Sequence, residues 1–193
     1  MRYHLAMLGL PFDFFQATQI PGIIESNIQT KMMAKDFAGA VSMCTAAEEA
    51  YPKLASSLQP IHFESLALAK DDTKAAAYLK ANGASNPTLY MIATNMALQS
   101  GKTPADFQKA LTYAKAYGAA KGTDPYQAKY MLSQVYQKLG KNQKAIQALQ
   151  DGIALAKNDK SGEGAQVIPA FKQMIAQLQS SNVAKAKTGS GKN

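Results

Sequence analysis

The side chains able to do chemistry are few, and their spacing does not suit it. The two histidines, His4 and His62, stand far apart. Neither has a cysteine or carboxylate cluster at metal-ligand spacing, so no metal centre is expected. Gly101-Lys102-Thr103 looks like the close of a phosphate-binding loop, but that loop needs a glycine five residues before Gly101, where Met96 stands. Gly191-Lys192 fails in the same way at Ala186. Two acidic pairs, Glu48-Glu49 and Asp71-Asp72, are adjacent in sequence, and neighbours on a helix point about 100° apart. Neither pair converges as a general acid and base would, and both read as solvated surface. The single cysteine, Cys44, allows no internal disulfide and falls where the helical pattern wants a small apolar residue, so it is expected in the core. Nothing forms a catalytic triad. The chain is expected to be no enzyme and to carry no cofactor.

Charge says more than chemistry. The 193 residues have a formal net charge of +8, but it is uneven. Residues 101–150 hold eight basic and two acidic side chains, an excess of +6, whereas residues 1–50 hold three basic and five acidic. Lys102, Lys109, Lys115, Lys121, Lys129, Lys138, Lys141 and Lys144 make a positive field that favours an acidic protein or peptide partner and a faster encounter. The alternative is a lysine face that serves solubility. Nucleic acid is disfavoured as a partner, because Arg2 is the only arginine and bidentate phosphate or base contacts would be scarce.

The elements that must position these residues are helices. Apolar residues recur at three and four positions, with breaks at Gly and Pro and no alternating β-branched run. Asn86-Pro87, Thr103-Pro104 and Asp124-Pro125 are helix starts, with Asp124 as a cap and Pro125 in the first turn. Gly83, Gly118 and Gly140 are expected at helix ends, where a left-handed residue releases the chain. Val167, Ile168, Phe171, Ile175 and Leu178 mark a last amphipathic helix. The tail from 183 to 193 has no apolar periodicity and is expected to be disordered. At the other end, residues 1–20 form an apolar arm too short to span a membrane. Arg2 before Leu5-Ala6-Met7-Leu8 gives it a signal-like character, and the alternative is an arm burying Phe12, Phe14 and Phe15. Cytoplasmic and exported locations both stay open. Nine methionines belong to packing, with an adaptable binding surface as the other reading.

From Tyr126 to Asp159, Leu132, Ser133 and Tyr136 precede the turn Leu139-Gly140-Lys141, and Ala145 and Leu149 follow it. In this spacing the chain resembles the tetratricopeptide repeat family, whose 34-residue pattern places a Leu, a small residue, a Tyr and an Ala in this register. Weaker copies lie at 22–52, with Phe37, Ala40 and Cys44; at 60–83, with Phe63, Ala67, Ala76 and Leu79; and at 87–118, with Phe107, Ala110 and Ala114. The resemblance implies an all-α, right-handed solenoid of about four helical hairpins with a C-terminal capping helix, forming one domain over 21–182. It also implies a non-enzymatic scaffold that binds a peptide or protein segment in a concave groove. Mapped onto the family's inner face, the groove residues are Glu25 and Gln29, then Met91 and Asn95, then Tyr130, Gln134 and Lys138. Chaperone-tail clamps of that family use Lys and Asn here, and only Asn95 matches. The competing reading is a structural or oligomerising module, or an accessory helical domain of a larger assembly, without a groove; the oligomeric state is left open.

Overall fold

The computed structural model describes residues 20–159 and 162–189. The apolar arm with His4, Phe12, Phe14 and Phe15, and the final residues 190–193, lie outside them. Every described element is helical, and no strand occurs among the described residues. The order is α1 (Ile20–Met33), α2 (Phe37–Ala50), a 3-10 turn (Pro52–Leu54), α3 (Ala55–Leu68), α4 (Asp72–Asn82), α5 (Thr88–Ser100), α6 (Pro104–Ala119), α7 (Pro125–Lys138), α8 (Asn142–Lys157) and α9 (Glu163–Gly189). The helices fall into two compact units, one ending at Leu89 and the other beginning at Tyr90.

The turns between paired helices repeat. After α1, the Asp36 N–H donates to Lys31 O at 2.9 Å and the Lys35 N–H to Met32 O at 3.0 Å. After α3, Asp71 donates to Leu66 O and Lys70 to Ala67 O; after α7, Lys141 donates to Tyr136 O and Gly140 to Gln137 O. This is the paired closure that satisfies the last carbonyls of a helix, and it needs a left-handed residue. Lys35, Lys70 and Gly140 supply it, at φ 59°, 59° and 69°. Their spacings, 70 − 35 = 35 and 140 − 70 = 70, are one and two steps of the same period. The hairpin between has another turn. Thr103 Oγ1 accepts from the Asp106 N–H, and Asp106 Oδ2 accepts from the Thr103 N–H, a reciprocal cap that starts α6. Of the glycines expected to be left-handed only Gly140 is so. Gly83 is right-handed at φ −61° and Gly118 lies inside α6. Alpha3 starts before Pro60, which sits in its second turn.

In the first unit Ile28 of α1, Ala40, Cys44 and Ala47 of α2 and Leu58 of α3 form the core. Alanine at the contact lets helices approach closely without loss of helix propensity. Ala75 and Leu79 face inward on α4, and Ala76 is exposed.

In the second unit Ala110, Leu111, Ala114 and Tyr117 of α6 pack on Ala128, Met131 and Val135 of α7. Ala145, Ile146 and Leu149 of α8 pack on Phe171 and Leu178 of α9. Burying a leucine such as Leu149 contributes roughly 1.5–3 kcal/mol. Alpha9 continues past Ser181 to Gly189, through residues 183–189 that the sequence assigns to a disordered tail. Its stretch Ala184-Lys185-Ala186-Lys187 is composed of strong helix formers, with no breaker before Gly189.

Candidate partner-binding site

The residues expected to face a groove are divided between the two units. In the first, Glu25 is half-buried and Gln29 exposed on α1. In the second, Met91 of α5 leans on the α6/α7 core, and Asn95, one turn further, is half-buried. On α7 Tyr130 packs against the cluster of Ala145, Leu149 and Phe171, and its hydroxyl accepts from Gln134 Nε2 at 2.9 Å. Lys138 is exposed, with Nζ 6.0 Å from the centre of the Phe107 ring. Tyr130 and Gln134 therefore form one ridge on α7, fastened within itself. Lys129, counted among the free positive charges, is bound to Asp151 Oδ2 at 3.2 Å, whereas Lys141 and Lys144 stay exposed.

A second arrangement lies in the first unit and was not legible as a site in the sequence. Glu48 of α2 does not face solvent as its neighbour Glu49 does. Its Oε1 accepts from the Tyr78 hydroxyl of α4 at 2.8 Å and lies 2.9 Å from Nδ1 of His62 on α3. The two rings are in contact, with centroids 4.5 Å apart and tilted by 54°. His62 is 6% exposed and the Glu48 side chain 21%. An ionised carboxylate only accepts, so Nδ1 carries the imidazole hydrogen and Nε2 presents a lone pair when the ring is neutral. Nε2 makes no hydrogen bond among the described residues, and since no buried side-chain nitrogen or oxygen there lacks a partner, it reaches solvent. The only signal in the sequence was His62 between Ile61 and Phe63 on a helix, a polar side chain that burial requires to find a partner.

Burial sets the chemistry of the neighbours. It pushes the Cys44 thiol up to about 12, with the Glu48 charge adding to it, so the thiol is inert. Burial, and then the bond to Glu48, raise the Tyr78 phenol above its ordinary value and hold it as a donor. Ser65 completes the layer, donating to Ile61 O at 2.7 Å. The second acidic pair is divided in the same way: Asp71 accepts the Lys74 N–H at 3.1 Å as the cap of α4, and Asp72 is exposed.

His62 and Tyr78 line a groove of about 800 Å³. Val41, Thr45, Ala46 and Glu49 of α2 form one wall, Ala77, Ala81 and Asn82 of α4 the other, and Leu66 lies with His62 on α3 between them. It runs between the second helices of two hairpins, not along the first helices to which the family pattern points. Among the described residues no group of three or more His, Cys, Asp or Glu is placed to hold a metal ion, and no helix is long and apolar enough to cross a membrane. No protein-family model, curated protein or solved structure matches the chain.

Proposed function

We propose that the chain is a non-enzymatic interaction scaffold of helical hairpins, in the manner of tetratricopeptide repeats, that holds a segment of a partner protein. The observation that carries this reading is the groove between α2 and α4. Its volume suits a ligand site, small apolar residues such as Val41, Ala46, Ala77 and Ala81 stand in its walls, and its polar groups come from three helices. Small walls leave room for the side chains of an incoming segment. The Cys44 thiol behind it is no nucleophile, since it is buried and its pKa raised. A photo-cross-linking residue at position 45 should capture a partner in the native cell, and Ala77→Trp, which fills the groove, should abolish that capture with helical content unchanged. Equal capture by Ala77→Trp would overturn the groove as the site.

A second reading places an acidic segment on the α7 ridge of Tyr130, Gln134 and Lys138. Its support is the exposure of Lys138, Lys141 and Lys144.

A further inference from the structure

The geometry points to a lysine side chain of the bound segment as the group that the α2/α4 groove recognises, its ammonium donating to Nε2 of His62. This inference rests on the groove reading above and adds the chemistry of the occupant.

Three observations converge on it. First, His62, only 6% exposed, lines the groove, and its second ring nitrogen makes no hydrogen bond among the described residues and so stays open to solvent. With the ring neutral and Nδ1 carrying the hydrogen, that nitrogen is an acceptor open to a donor entering the groove. Second, the carboxylate behind it carries charge that no cation answers. Glu48 has no Lys or Arg partner among the described residues; it is held by the His62 imidazole and the Tyr78 phenol. The Glu48–His62 pair therefore bears a net negative charge as long as the ring is neutral. A donor at Nε2 that is itself positive gains both a charge-assisted bond and the field of the carboxylate. Third, the lining offers no competitor. Lys74 is its only cation, and Asp71 Oδ2 holds that ammonium at 2.9 Å, which leaves the charge of Glu49 also uncompensated. The half-buried ring of Tyr78 adds an aromatic surface suited to a cation. A single acceptor matches the compact ammonium of lysine better than the planar fork of arginine, which seeks paired acceptors.

The test follows the imidazole nitrogens of His62 in the full chain by nitrogen-15 NMR. Three probes are compared: acetyl-Ala-Ala-Lys-Ala-Ala-amide and the same peptide with norleucine or Nε-acetyl-lysine at its centre. The lysine peptide should shift Nε2 saturably, with at least tenfold weaker binding for both neutral peptides. Glu48→Gln should remove the preference, and because the peptide comparison uses the unmodified chain, the proposal stays testable if that variant does not fold. Equal saturable shifts from lysine and norleucine peptides would overturn the charge recognition and leave the groove reading standing. No shift from any peptide would overturn both. A His62 shift that depends on protein concentration alone would identify a second copy as occupant and overturn the proposal.

Discussion

Lys35 and Lys70 hold the same backbone conformation, φ 59°, at the same place in two successive hairpins, thirty-five residues apart. Each is a non-glycine residue in the left-handed region, followed by an aspartate that caps the next helix: Asp36 accepts from the Gly39 N–H and Asp71 from the Lys74 N–H. Gly140 fills the equivalent position without strain.

Exchanging these residues should show the strain. Lys35→Gly and Lys70→Gly are each expected to raise stability by about 0.5–1 kcal/mol, because the gain in the folded turn exceeds the added freedom of the unfolded chain. Gly140→Ala should lower it by about 1 kcal/mol. Urea midpoints of the three variants check this, and a fall for both lysine variants would show that the side chains matter more than the backbone.

Gly152 of α8 lets α9 close on it. A Cβ there would stand 2.5 Å from Cε2 of Phe171 and 3.3 Å from Cβ of Lys129, so Gly152→Ala must displace the ring. Ala145, fully buried in the same cluster, has no more room. Gly152→Ala and Ala145→Leu should each cost about 1–3 kcal/mol by overpacking. Unchanged denaturation midpoints would mean that α8 and α9 separate at no cost.

Acid should loosen the caps. The side chain and then the backbone N–H of the first turn hold Asp71 below its ordinary value of 3.8, Lys31 and then the Gly39 N–H do so for Asp36, and the Lys102 and Thr103 N–H groups do so for Asp106. Since the folded values lie below the unfolded ones, the unfolded chain binds more protons in this window and stability rises with pH there. The contribution is complete above about pH 4 and disappears as the pH falls through the folded values. Urea midpoints measured between pH 6 and 2 should decline below pH 4, and less steeply in Asp36→Ala, Asp71→Ala, Asp106→Ala. A decline of equal slope in the triple variant would assign it to other groups.

Tyr130→Ala separates packing from binding on α7. Because the ring packs on Ala145, Leu149 and Phe171, the variant should lose stability by about 2 kcal/mol. If the ridge also binds the partner, affinity measured where the variant is still folded should fall about tenfold or more, equivalent to about 1.4 kcal/mol. Lost stability with unchanged affinity would remove the ridge from the binding surface.

The exposed lysines bear on rate. Lys138→Gln, Lys141→Gln and Lys144→Gln together should slow association with an acidic partner and flatten its salt dependence, with little effect on dissociation. Equal association rates in stopped flow would leave these lysines as a solvated face.

Helix content, the helix starts at Thr103 and Asp124, and the burial of Cys44 were written in the sequence, because each depends on local spacing and on a side chain acting within its own turn. The turn residues at 35 and 70 were not, since lysine carries no local preference for a left-handed backbone and only the two flanking helices impose it. The role of Glu48 was hidden for a related reason. Next to Glu49 it reads as half of a solvated pair, and its partners stand 14 and 30 residues away on other helices. Side chains that neighbour one another along a helix diverge, so a polar cluster drawn from three helices leaves no contiguous pattern; packing α2, α3 and α4 together decided which carboxylate turned inward and brought His62 to the lining of the groove.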